Sequence, residues 1–279
     1  MVCPLSRANQ RACRTSVLAL LLAALGPSEA WTQTSSVQFQ EVAATAGIDF
    51  IHWNGRVPQG TYGSARCAMV THGGAAVGDY DNDGWPDLYV TRMNVPNLLY
   101  HNRGDGTFEE VGAQAGVDIS TFGAGCLWVD VDDDGDLDLY VMTFDDYGRN
   151  YLFMNDGAGG FSEEAESRNL AFVNTSRFPR IYTSTLAGDY DLDGDVDLVM
   201  LAWDPRPLNT LMDNDGTGIF TDRTEPANLF QPPRNFMLGF GGYFADFDDD
   251  GYPDLAVSAD FGTSRLARNR GNRRFQDVT

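Results

Sequence analysis

The chain reads as an all-β protein, a β-propeller of four-stranded antiparallel blades. Three observations predict this. The pattern D-x-D-x-D-G-x-x-D occurs four times, and each copy runs into a short apolar strand. A Leu-x-x-Asn landmark follows each copy, and a Phe stands six residues after each Asn. First Asp to first Asp, the spacings are 51, 59 and 57 residues, the tandem period of propeller blades.

The acidic loops are Asp79-Tyr-Asp81-Asn-Asp83-Gly84-Trp85-Pro-Asp87, Asp130-Val-Asp132-Asp-Asp134-Gly135-Asp136-Leu-Asp138, Asp189-Tyr-Asp191-Leu-Asp193-Gly194-Asp195-Val-Asp197 and Asp246-Phe-Asp248-Asp-Asp250-Gly251-Tyr252-Pro-Asp254. Carboxylates packed that densely repel one another, and a hard cation lets such a loop close. Calcium takes about six to eight oxygen ligands from a flexible loop. Alternate residues of a tight loop point the same way, so positions 1, 3 and 5 converge. Glycine at position 6 permits the sharp turn. Position 7 (Trp85, Asp136, Asp195 and Tyr252) offers its carbonyl, and the Asp at position 9 closes the shell. These positions are the candidate Ca2+ ligands. Magnesium prefers a stricter octahedron, and zinc finds no His or Cys within the loops. An EF-hand needs Glu at position 12, where this chain has Val90, Val141, Met200 and Val257. A solvated acidic turn explains one copy well and four copies poorly.

The strands follow from the residues around each loop. Before it come small and apolar residues: Gly73–Gly78, Gly123–Val129, Thr185–Gly188 and Phe240–Ala245. Small residues there suit close approach of backbones. After it come Leu88-Tyr-Val, Leu139-Tyr-Val, Leu198-Val-Met and Leu255-Ala-Val. The landmarks Leu99 to Asn102, Leu152 to Asn155, Leu211 to Asn214 and Leu266 to Asn269 open hairpins. Each hairpin turns at a Gly and closes on Phe108, Phe161, Phe220 or Phe275. The interval from each Phe to the next loop varies most, at 40, 22, 28 and 26 residues counted from Phe39. One tolerant surface connection per repeat gives that pattern. The repeat units are 37–111, 112–164, 165–223 and 224–279, within a propeller segment of 31–279.

These residues resemble the FG-GAP and VCBS repeats of integrin-α-type propellers, with Phe122-Gly123 and Phe240-Gly241 in the place of the FG pair. The closer resemblance is to the cartilage acidic protein (ASPIC and UnbV) group. It rests on Phe39-Gln-Glu-Val-Ala-Ala-Thr-Ala-Gly47-Ile, His52-Trp-Asn54-Gly55, the first acidic loop, and the hairpin His101 to Val111. The resemblance implies calcium in the loops and a ring of about seven blades. Four repeats are visible, so the chain is expected to be part of a larger ring. The alternative is a closed four-bladed ring, with residues 37–50 completing the last blade.

Residues 1–30 read as a secretory signal: Arg7, Arg11 and Arg14, an apolar stretch from Val17 to Leu25, and a cleavage site at Ser28-Glu-Ala30. The apolar stretch is shorter than the roughly 20 residues that cross a membrane. Cleavage removes three Arg and one Glu, taking the net charge from −21 to −23. The loops hold 20 of the 40 acidic residues. The acidity that remains disfavours nucleic acid and anionic membrane as partners. Every basic residue is Arg, which reflects base composition rather than chemistry. Cys67 and Cys126 either pair or stay buried thiols.

Other motifs have plain explanations. Arg103-Gly104-Asp105 occupies a hairpin turn, where Gly and Asp are favoured for backbone reasons. Asn174-Thr-Ser176 fits a glycosylation acceptor. His52, His72 and His101 share no ligand spacing, and His101 is expected on a solvated strand face. Nucleophile-elbow, phosphate-loop and HExxH motifs are absent. The expected protein is an exported, non-enzymatic propeller with structural calcium, binding protein or carbohydrate through its loops. The alternatives are a hydrolase or lyase centred on the propeller channel, and an accessory factor for maturation of an exported enzyme.

Overall fold

The computed structural model describes residues 39–52, 73–143, 149–172, 182–203, 209–230 and 237–279. The signal segment, Cys67, His72 and Asn174-Thr-Ser176 lie outside them. The chain divides into Met1–Glu41 and Val42–Thr279. Of the first unit only Phe39–Glu41 is described, exposed and without regular structure.

The described residues of the second unit form four antiparallel sheets in chain order. The first comprises β1 (Ala75–Gly78), β2 (Asp87–Val90), β4 (Leu98–Asn102) and β5 (Phe108–Glu110). The second comprises β6 (Ser120–Val129), β7 (Asp138–Thr143), β8 (Tyr151–Asn155) and β9 (Phe161–Glu163). The third comprises β10 (Tyr182–Gly188), β11 (Asp197–Ala202), β12 (Thr210–Asn214) and β13 (Phe220–Asp222). The fourth comprises β14 (Gly239–Ala245), β15 (Asp254–Ala259), β16 (Arg265–Asn269) and β17 (Phe275–Asp277). Every acidic loop joins the first and second strands of its sheet. The repeat therefore gives four-stranded blades, as its landmarks predict.

Two details depart from the simple repeat. The second sheet gains a fifth strand, β3 (Met93–Pro96), from the connection between β2 and β4. It pairs with β6 through Met93↔Phe122, Val95↔Thr121 and Pro96↔Ser120, stitching the first blade to the second. Pro96 is tolerated because the strand lies at the sheet edge. The fourth sheet draws all four strands from residues 239–277, so among the described residues none of 39–50 completes it. The segment after Glu41 instead meets the first blade, where Ala46 accepts the Phe108 N–H at 2.8 Å. Arg168 accepts from Phe220 of the third blade and Ala227 from Phe275 of the fourth in the same way.

Alternation along the second strands builds the core, because successive side chains face opposite sides. Leu139 and Val141 pack with Tyr89 and Leu99 of the first blade. Tyr140 and Met142 pack with Leu198 and Met200 of the third. Val199 and Leu201 pack with Leu255 and Val257 of the fourth. Both faces of the middle blades are thus buried, which explains their continuous apolar runs. The outward face of the fourth blade is open, with Tyr243 at 59% exposure and Phe247 at 45%.

Polar side chains tie one blade to the next. The Asn155 amide donates to the Tyr80 carbonyl at 2.7 Å and to Leu137 at 3.0 Å. Asn214 donates to Val131 at 2.8 Å and Val196 at 3.1 Å, and Asn269 to Tyr190 at 2.6 Å and Pro253 at 3.0 Å. In each case one acceptor lies in the preceding blade's acidic loop. The Asn102 amide donates to the Pro86 carbonyl within its own blade. A second recurring Asn, at 97, 150 and 209, accepts a backbone N–H from Arg92, Thr143 and Ala202.

The acidic loops share a backbone conformation. Position 6 is left-handed in all four, with φ of 91°, 93°, 103° and 92° at Gly84, Gly135, Gly194 and Gly251. So is position 4, with φ of 56°, 57°, 61° and 58° at Asn82, Asp133, Leu192 and Asp249. Asn and Asp tolerate that conformation, whereas Leu192 is strained by its Cβ. Leu192→Asn is expected to stabilise the protein by about 0.5–1 kcal/mol, read as a raised denaturation midpoint. Asn214→Ala removes the side-chain donor to the buried Val131 carbonyl and the partly buried Val196 carbonyl and is expected to cost about 2–4 kcal/mol in urea unfolding. Asn102→Ala, which removes no described inter-blade bond, is expected to cost less than half as much.

Candidate metal centres

The loops are shaped by their own carboxylates. The Asp at position 1 accepts the position 6 N–H, at 2.8 Å from Gly84, 3.0 Å from Gly135, 3.1 Å from Gly194 and 2.8 Å from Gly251. The position 5 carboxylate accepts from position 7, at 2.8 Å from Trp85, 3.0 Å from Asp136, 3.2 Å from Asp195 and 3.1 Å from Tyr252. Position 7 side chains lie over the hairpin glycines, so a Cβ at Gly104 would come within 2.6 Å of Trp85.

Position 9 opens the second strand and is buried in every blade, at Asp87, Asp138, Asp197 and Asp254. One oxygen accepts the position 2 N–H of its loop, at 3.2, 3.1, 3.1 and 3.2 Å. The other accepts from Asn102, Asn155, Asn214 and Asn269, at 2.7, 2.8, 2.9 and 2.7 Å. This carboxylate joins the loop to the third strand. Burial raises three of these groups from 3.8, to about 6 at Asp87, about 7 at Asp138 and about 8 at Asp197. The backbone donors oppose that rise, and neighbouring loop carboxylates add to it.

The first three loops bring positions 1, 3 and 9 together. Carboxylate oxygens of Asp79, Asp81 and Asp87 lie within 4.8 Å of one another. The same holds for Asp130, Asp132 and Asp138, and for Asp189, Asp191 and Asp197. In the fourth loop the close set is Asp246, Asp248 and Asp250, all exposed, with Asp254 outside it. Position 5 thus joins the set in the fourth loop, and Asp83 joins a separate group in the first. Asp134, Asp136, Asp193 and Asp195 belong to none of these groups. Position 3 carries the sign of a ligand site: Oδ1 of Asp81, Asp132 and Asp191 is buried without a hydrogen-bond partner. A hard divalent cation fits such all-oxygen sets.

Basic side chains from outside the loops also reach position 3. Arg168 lies 3.3 Å from Asp132, Arg273 lies 2.6 Å from Asp191, and Arg268 lies 2.5 Å from Asp248. In the first loop the neighbour is His101, 3.2 Å from Asp81 and 3.4 Å from Asp87. The expectation of a solvated His101 is therefore corrected. Its strand register turns the ring into the loop, and its side chain is 26% exposed. The sequence signal was its place directly before Asn102, the position that carries Asp213 and Arg268 in the third and fourth blades, where Asp213 accepts from Tyr190 and Arg268 meets Asp248 and Asp250. Cys126 carries a free thiol, pushed up to about 12 by burial.

The chain is 28% identical to human cartilage acidic protein 1 over 211 residues, covering 73% of this chain and 31% of that protein. The Xenopus tropicalis protein of that name is 28% identical over 191 residues, covering 66% and 28%. The chain thus spans less than a third of the length of these relatives. A solved structure described as an Agrocybe aegerita lectin recognising non-reducing terminal N-acetylglucosamine aligns at a TM-score of 0.48 and 18% identity. That alignment covers 74% of this chain and 51% of the lectin chain. The FG-GAP-like repeat model matches residues 79–141, 130–200 and 189–257, each match running from the start of one acidic loop through the strand after the next. With more than half of its length matched, the chain belongs to the FG-GAP-like repeat family.

Proposed function

We propose that this protein is an exported calcium-binding β-propeller whose ions are structural, and that it acts as a non-enzymatic binding scaffold for protein or carbohydrate. The observation that carries the calcium reading is the buried Oδ1 at position 3, left without a donor in three successive loops. Family membership and the oxygen-only composition of the loops support it. Export rests on the N-terminal signal pattern. Among the described residues no helix is long and apolar enough to cross a membrane.

When bound, calcium would supply the positive charge that the crowded carboxylates lack. Asp79, Asp81 and Asp87 and their counterparts would hold it in the first three blades, and Asp246, Asp248 and Asp250 in the fourth. Because position 9 also anchors the third strand, an ion there would fix blade geometry. Affinities of about 10⁻⁴–10⁻³ M suffice outside the cell. The scaffold role follows from the varied connections between blades, which leave one set of loops free to differ while the sheets stay constant.

Chelation is expected to lower the melting temperature by more than about 5 °C in scanning calorimetry. Asp132→Ala is expected to remove one of several calcium equivalents. An unchanged melt with chelator present would contradict structural calcium.

The carboxylate shifts set a pH dependence. Asp87, Asp138 and Asp197 are raised in the folded protein, to about 6, 7 and 8. Their contribution to stability is complete below the ordinary carboxylate range and is lost as pH rises through those values. With chelator, the melting temperature is therefore expected to fall from pH 5 towards pH 8. Calcium binding, which favours the ionised carboxylates, is expected to flatten or reverse that slope.

A further inference from the structure

We infer that the cleft between the third blade and the fourth hairpin is a binding site for a sugar acid, held through its carboxylate. This rests on the scaffold reading, whose ligand it names, and not on calcium.

The cleft recurs between blades, but what fills it differs. Arg168 and Ala227 hold equivalent places, since each carbonyl accepts the N–H of the Phe that opens the next outer strand. The Arg168 side chain fills the cleft between the second and third blades. It donates to the Thr217 carbonyl at 2.7 Å, pairs with Asp132 at 3.3 Å, and would collide with a Cβ at Gly218. Ala227 has no such reach, and a cavity of about 300 Å3 remains between the third and fourth blades. That volume lies at the lower end of the range for small-ligand pockets.

The cavity wall is basic in an acidic chain. Arg223 stands where the second blade has Glu164, three residues after the strand Phe. Arg273 and Arg274 belong to the fourth hairpin, where the other three hairpins carry Gly followed by Thr107, Gly160 or Ile219. Arg273 has a φ of 61°, in the place of Gly106, Gly159 and Gly218 at 86°, 84° and 75°. A long side chain is strained in that conformation, and such strain gathers at functional sites.

The donors are unevenly used. Arg273 spends its guanidinium on Asp191 and Asp193, at 2.6 and 2.8 Å. Arg223 gives Nε to Asp213 at 3.2 Å. Among the described residues, the Nη groups of Arg223, the Arg274 guanidinium and the Asn272 amide have no partner. Planar guanidinium donors match a carboxylate. Asn272 can bond a hydroxyl, and Pro226 and Ala227 offer an apolar side to the carbons of a ring. Asp191, Asp193 and Asp213 border the cleft, and the chain carries a net charge of −21, so a long polyanion is repelled. The ligand must be small enough to meet Arg223 and Arg274 alone.

The test is calorimetric titration of the full chain with glucuronate, with glucose as the neutral control. One glucuronate per chain is expected to bind, and glucose is expected not to. Arg274→Ala, at an exposed position, is expected to weaken glucuronate by about tenfold. Ala227→Gln keeps every charge but occupies the cavity, and is expected to abolish binding. No saturable glucuronate binding, equal binding of glucose, or unaltered affinity in either folded variant overturns the site. If Ala227→Gln does not fold, Arg274→Ala decides. Failure of glucuronate to bind a chain whose melt still falls on chelation refutes this site and leaves the calcium-stabilised propeller standing.

Discussion

The buried aspartate at the start of each second strand is the constraint on which the rest depends. Asp87, Asp138, Asp197 and Asp254 each take one N–H from the loop and one from the third strand. A buried carboxylate is tolerated only when its oxygens are satisfied, so loop and strand must hold their positions together. In the second to fourth blades the third-strand Asn then reaches the preceding loop. Blade geometry, loop geometry and blade-to-blade spacing are therefore one network.

That network explains why the loops can carry so much charge. Their backbone N–H groups are spent on carboxylates at positions 1, 5 and 9, which fixes those side chains. Position 3 is left over, half-buried in three blades with its Oδ1 shielded, and turned towards a basic neighbour. An entering cation must compete with Arg168, Arg273 or Arg268. The sites are therefore unequal: the loops repeat, but the neighbours that reach them do not.

The repeated parts were legible in the primary structure because they rest on short-range rules. Glycine at position 6, the Leu-x-x-Asn landmark and the Phe-led outer strand each answer to local turn or strand geometry. Position 4 was harder to read, since Asn82, Asp133 and Asp249 suit a left-handed residue but Leu192 does not. The Asn at 97, 150 and 209 escaped notice because Ser264 stands in its place in the fourth blade, where it donates to and accepts from Ala259. His101 was misread as solvated because facing depends on the pleat of a strand whose neighbours come from elsewhere in the chain.

The amino-acid order by itself determined the blade count in this chain, the loop conformation and the choice of oxygen-rich sites, because each follows from residues within about ten positions of one another. Tertiary structure alone decided which carboxylates converge, which strand of one blade extends the next, and which basic side chain meets each loop. Those outcomes join residues far apart in the chain, such as Arg273 and Asp191. Only the packing of one sheet against another brings them within reach.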